Sequence, residues 1–93
     1  MKLLVVVATR EARDDIEAAL QSGGALGFTE IPGVLGEDSS GPRFGSRAAP
    51  GISDLILVAV DDGRLASMRE ALAQVAARKG RRLHGFLIPA EEL

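Results

Sequence analysis

The densest group of side chains able to bind an anion lies near the C-terminal end of the sequence. Lys79, Arg81 and Arg82 surround Gly80, and His84, the only histidine, follows closely. Guanidinium groups match phosphate and carboxylate oxygens, and an imidazole titrates near neutral pH. The spacing predicts a ligand site that includes Gly80, Arg81, Arg82 and His84. The alternatives are a solvated basic turn and, for the histidine alone, an ordinary strand position. One histidine without neighbouring ligands predicts no metal site.

A second group lies in the stretch Gly36–Gly51, which reads GEDSSGPRFGSRAAPG and has no apolar period. Its glycines, prolines and serines favour a long surface loop without regular structure, and such loops tend to be functional. Arg43 and Arg47 lie inside it and could fold onto a ligand, while backbone N–H groups from Gly36 onward could bind an anion. We therefore add Gly36, Arg43 and Arg47 to the predicted ligand site. The alternative is a mobile loop with two ordinary surface arginines.

The remaining segments alternate between strand and helix patterns. Continuous or alternating apolar runs predict strands, and Pro32 with Gly33 predicts an edge position, a bulge or a bend in the second one. The four predicted strands are Lys2–Ala8, Phe28–Leu35, Ile52–Val60 and Leu83–Ile88. Helical spacing of apolar residues predicts one helix ending at Gly23 and another stopping at Lys79 and Gly80. Thr9 and Asp62 are the predicted N-caps.

The order β-α-β-β-α-β predicts an α+β, ferredoxin-like sandwich, with an antiparallel sheet and two helices on one face. We expect a single domain over residues 1–93. The third strand is apolar on both faces, and helices cover only one of them. A monomer would leave the other face in water, so we expect a closed homo-oligomer with the sheets packed inward.

Composition excludes several classes of protein. The net charge of −2 and the 3% aromatic content argue against nucleic-acid binding. The chain has no cysteine, which excludes disulfides, thiolate metal sites and thiol nucleophiles. It also has no asparagine to place water as acylphosphatases do and no Ser–His–Asp spacing, so we expect no enzyme. No apolar run is long enough to enter a membrane, and a cytoplasmic location is expected.

The whole chain resembles the PII-like family of signalling proteins. The likeness lies in the order of elements and in local words: ALQSGGALGFTEI before the second strand, PGVLG before the long loop, VDD before the second helix, and GFLIPAEE at the end. The resemblance implies a homotrimer that binds adenine nucleotides between subunits. The loop, called the T-loop in that family, would report the ligand to a transporter or enzyme partner. An adenine nucleotide would be an effector, with no tightly bound cofactor.

The sequence departs from the family at the predicted ligand site. The residues Lys79–Arg82 replace the family's Gly-Asp-Gly-Lys turn, and His84 aligns with its phosphate-contacting lysine. The chain is therefore expected to be a divergent, short member related to the nitrogen regulatory protein PII. An alternative is a metal- or amino-acid-sensing ferredoxin-like module, of the cation-tolerance or ACT-like kind.

Overall fold

Two strands rich in valine, leucine and isoleucine form the centre of the fold. A computed structural model describes residues 1–25, 27–35, 37–38, 41–42, 52–78 and 82–93. Its strands are β1 (Lys2–Ala8), β2 (Thr29–Leu35), β3 (Glu37–Asp38), β4 (Gly41–Pro42), β5 (Ile52–Val60) and β6 (Leu83–Pro89). Its helices are α1 (Arg13–Ser22) and α2 (Leu65–Ala76), each preceded by one 3-10 turn, Arg10–Ala12 and Asp62–Arg64. Neither helix is long and apolar enough to cross a membrane.

The main sheet is antiparallel with the strand order β2-β5-β1-β6. The central strand β1 pairs with β5 along Lys2–Ala8 and with β6 along the same residues. In the sequence, one helix follows β1 and the other follows β5. This order of elements and the strand order of the sheet confirm the predicted ferredoxin-like arrangement. The strand predictions agree with the structure at β1 and β5, while β2 begins one residue later and β6 includes Pro89.

Alternate residues of the central strands pack under the helices. Val6 opposes Ile56 in the β1–β5 ladder, and both are almost fully buried. The core consists of the following residues: Leu4, Val6, Ala8, Ala12, Ile16, Ala19, Leu20, Ile56, Val58, Val60, Met68, Leu72 and Val75. Because side chains alternate across a strand, the other half of β1 and β5 must face away from this core.

Each helix is entered through a 3-10 turn, which changes the predicted caps. Thr9 is at the N-cap position of the first turn, as predicted, but its side chain makes no cap hydrogen bond, and its Oγ1 donates to the carbonyl of Arg82 over 3.4 Å. The N-cap of the second turn is Asp61 instead of Asp62, and Asp62 pairs with the amino group of Met1 at 3.1 Å. The helix stop predicted at residues 79–80 is also wrong in position, because α2 ends at Ala76.

The second strand and the start of the long loop show local irregularities. The β2–β5 register shifts between Ile31 and Val34, and Gly33 adopts a positive φ of 73°, which confirms a bulge in an edge strand. The loop prediction is wrong at its beginning, where β3 and β4 form a short antiparallel ladder. Residues 36, 39–40 and 43–51 lie outside the described part of the chain.

Candidate functional site

Four strand ends meet at one end of the sheet, which we call the loop end. It comprises the C-terminal ends of β1 and β2 and the N-terminal ends of β5 and β6, with Leu35 opposite Ile52 and Ala8 opposite Leu83. The Gly36–Gly51 stretch leaves from β2 and returns to β5 at this end. The connection into β6 arrives there too, so both segments that carry predicted ligand residues are attached to one end of the sheet.

Two of the seven predicted site residues, Arg82 and His84, belong to the described part of the chain, and both are exposed. Arg82 is tied to the end of β1, because its carbonyl accepts the Thr9 N–H at 3.0 Å and its N–H donates to Thr9 Oγ1 at 3.4 Å. The other five residues lie outside the described part, and their roles stay predictions: Gly36, Arg43, Arg47, Gly80 and Arg81.

His84 lies on the sheet face that no helix covers, which we call the open face. It opposes Val7 on β1, and Val7 opposes Leu55 on β5. The open face carries these apolar residues in neighbouring registers: Leu3, Val5, Val7, Ile31, Leu55, Leu57, Ala59, Phe86 and Ile88. Phe86 is 60% exposed and Ile88 47%. His84 therefore lies where the apolar open face reaches the loop end.

A cleft of about 620 Å³ opens at the same end but on the helix side of the sheet. It is lined by Arg10, Arg13, Asp14, Glu30, Pro32 and Asp54. Within it, Arg13 Nε donates to both carboxylate oxygens of Glu30 at 2.7 and 2.9 Å. The hydrogen bond and the charge of Glu30 raise the pKa of Arg13, because both stabilise the protonated guanidinium. Within this pair, the positive charge of Arg13 and the negative charge of Glu30 cancel.

Asp54 is an acidic residue buried in this cleft, with only 1% of its surface exposed. Its Oδ1 accepts from Arg10 Nη2 at 3.4 Å and from the Gly33 N–H at 3.2 Å. Its Oδ2 is buried and has no hydrogen-bond partner among the described residues. The site predicted from the sequence does not include Asp54, whose one weak signal is a carboxylate in the otherwise mostly apolar strand ISDLILVAV.

The described residues include no group of three His, Asp or Glu side chains that could hold a metal ion. His84 lies on the open face, whereas Arg10 and Asp54 lie on the helix side of the sheet.

Comparison with known proteins gives matches in structure alone. No family model and no curated protein matches the sequence. A DUF3240 family protein from Shewanella baltica OS155 aligns with a TM-score of 0.74 and 20% identity, covering 99% of this chain and 91% of its own. CPII, a nitrogen regulatory PII-like protein from Thiomonas intermedia K12 bound to ADP, AMP and bicarbonate, aligns with a TM-score of 0.64 and 16% identity. That alignment covers 94% of this chain and 86% of CPII. The fold is PII-like.

Proposed function

We propose that this protein is a PII-like regulatory protein that binds a small anion, an adenine nucleotide, between the subunits of a homotrimer. The observation that carries the proposal is the position of His84, where the apolar open face meets the loop end. A second copy of the chain packed on the open face would cover the apolar residues of that face. The surface of the second copy would then lie against His84. The seam between the copies would then be the ligand cleft.

Exposed apolar surface supports the assembly. The open face spans all four strands of the main sheet and includes Phe86 and Ile88, both about half exposed or more. Contiguous apolar patches above a few hundred Å² on a soluble protein mark interaction sites. The trimer, rather than a dimer, follows from the resemblance to PII-like proteins and agrees with the PII-like fold.

The ligand chemistry follows from the residues attached to the loop end. The backbone of Arg82, two residues before His84 in the sequence, is held by Thr9. The loop and turn residues Gly36, Arg43, Arg47, Gly80 and Arg81 would complete the set. CPII binds ADP and AMP, which supports an adenine nucleotide as effector. Its description as a regulatory protein supports a signalling role, with the loop contacting a transporter or enzyme partner.

Thermal unfolding with ATP, ADP, AMP and a cyclic adenine nucleotide tests the ligand, because a compound that binds the native state raises its melting temperature. We expect a rise of about 5 °C or more with at least one nucleotide at millimolar concentration, since ~1 kcal/mol corresponds to roughly 4–8 °C in a domain of this size. Arg82→Ala should remove most of the rise. Arg69→Ala, a change of equal charge on an exposed residue of α2, is the matched control.

Light scattering coupled to size exclusion tests the assembly separately. Three subunits per particle at micromolar concentration is the expected result. Flat melting curves with all four nucleotides would overturn the proposed ligand, and a monomer would overturn the proposed trimer.

A further inference from the structure

The carboxylate of Asp54 is buried without the hydrogen bonds that a carboxylate normally accepts. An ionised carboxylate has acceptor sites on both oxygens, and buried ones are as a rule paired. Here Oδ1 accepts from Arg10 Nη2 and the Gly33 N–H, whereas Oδ2 has no partner among the described residues. A buried acceptor left in this way is an exception that calls for an occupant with a donor.

The charges around the cleft favour a cation as that occupant. Arg13 is neutralised by Glu30 through two short contacts. Among the described lining residues, this leaves one guanidinium, that of Arg10, with the two carboxylates of Asp14 and Asp54, so their remaining formal charge is negative. An anion would be opposed by both carboxylates, whereas a cation with N–H groups would meet two acceptors.

Arg10 is held loosely enough to be displaced. Its side chain is 62% exposed, and its contact with Asp54 Oδ1, 3.4 Å from Nη2, is long for an N–H···O hydrogen bond. Asp54 is buried, but the guanidinium end of the pair lies in water, which screens its charge, and holding the long side chain in place costs conformational freedom. A ligand that offers the same kind of donor could therefore replace Arg10 at Asp54.

We propose that this cleft binds a small organic cation that carries a primary ammonium or a guanidinium group. The cation takes the place of Arg10 at Asp54, donates to Oδ2 as well as Oδ1, and leaves Arg10 in solvent. This site differs from the proposed nucleotide site in the sign of its ligand and in the face of the sheet that it occupies. Because the Gly33 N–H donates to the same carboxylate, the occupant would be linked through Asp54 to the strand from which the long loop departs.

Titration of the whole protein by ¹⁵N NMR tests the site with probes of one charge and different donors. We use methylguanidinium and methylammonium chloride, with tetramethylammonium chloride as a control of equal charge that lacks N–H groups. The expected result is saturable shifts of the Asp54 and Gly33 backbone amides with the first two salts and no saturation with the third. Equal responses to all three would overturn the proposal, as would the absence of saturation with any.

Two variants predict opposite changes in the affinity for methylguanidinium. Asp54→Asn keeps an oxygen acceptor but removes the charge, and should weaken binding by about tenfold or more, since hydrogen bonds to charged groups are roughly twice as strong as neutral ones. Arg10→Ala removes the competing guanidinium and should strengthen binding several-fold. Arg69→Ala removes one positive charge far from the cleft and should leave the affinity unchanged.

The Arg10→Ala result decides the proposal even where Asp54→Asn is poorly folded. Unchanged or weaker binding in Arg10→Ala would show that the cation does not compete for Asp54, which overturns the proposal. Nucleotide-induced thermal stabilisation should be the same in Arg10→Ala as in the unmodified chain, so failure of one proposal is distinguishable from failure of the other.

Discussion

The two faces of the main sheet are similarly apolar in sequence, yet the described part of the chain covers only one of them. On the helix side, Val6 and Val58 are at most 1% exposed. On the open face, their neighbours Val5 and Leu57 are only half-buried, and Phe86 is 60% exposed. A continuous apolar run places valine and leucine on both sides of a strand, because successive side chains alternate, whereas both helices of this fold lie on the same side. The hydrophobic pattern therefore indicates that both faces of the sheet are packing surfaces. In one folded chain, the helices cover the first of these faces.

The two faces also differ in the ionisable residue that each presents at the loop end. Asp54 is buried under the helix side with an unpartnered oxygen, and His84 is exposed on the open face. A buried carboxylate requires hydrogen-bond donors, whereas the anion site that we propose lies at the exposed imidazole. The two proposals therefore assign ligands of opposite charge to the two faces of the same sheet end.

The largest expected effect on folding comes from truncating the covered face. Ile56→Ala should lower the free energy of unfolding by about 2–4 kcal/mol, because it leaves a cavity among residues that cannot close it. Urea unfolding measures the change. Leu57→Ala, one residue along and on the open face, is the matched comparison and should cost less in dilute protein. Equal costs that do not vary with protein concentration would contradict the difference between the faces.

The next effect concerns assembly through the open face. Phe86→Asp places a charge in the middle of that face and should weaken subunit association by about tenfold or more, ~1.4 kcal/mol, with the helical content retained. Light scattering and circular dichroism measure the two quantities. Leu87→Asp, on the other face of the same strand and packed against the core, should instead reduce folding itself. Unchanged particle mass in Phe86→Asp would remove the open face as an interface.

The smallest effect concerns the bulge at the edge of the sheet. Gly33→Ala should destabilise the fold by about 1–2 kcal/mol, because a side chain disfavours the positive φ of 73°. An added Cβ would meet no atom closer than 4.0 Å, Arg10 Nη2, so the cost is conformational rather than steric. Gly63→Ala is the control, since an added Cβ there meets nothing within 4 Å. Thermal unfolding of both variants should show a loss for Gly33 alone.

Much of the fold could be predicted from local pattern. The bounds of β1 and β5 were predicted correctly because each contains a continuous apolar run, LLVVVA in β1 and LILVAV in β5, and Pro32 with Gly33 correctly indicated the bulge in β2. Thr9 is at the predicted N-cap position without the capping hydrogen bond, and Asp62 is displaced from it by one residue, because both side chains make longer-range contacts: the Thr9 hydroxyl binds the Arg82 backbone, and Asp62 binds the amino group of Met1. Local propensity cannot anticipate a partner seventy-three residues away.

The candidate sites divide in the same way. The basic cluster around Gly80 and the arginines of the long loop could be recognised from composition, because charged residues between glycines stand out in any sequence. The cleft at Asp54 could not, since its members come from β5, the bulge of β2 and the start of α1. Each of them alone is an ordinary residue of its segment.

The sequence by itself determined the order of strands and helices, the apolar character of both sheet faces and the position of the long loop, because these depend on periodicity and on the backbone preferences of glycine and proline. Only the tertiary structure decided which apolar face is covered, which donors reach Asp54 and where Arg82 is anchored. Those outcomes depend on distances between residues far apart in the chain, which become defined when the strands pair and the helices pack on one side.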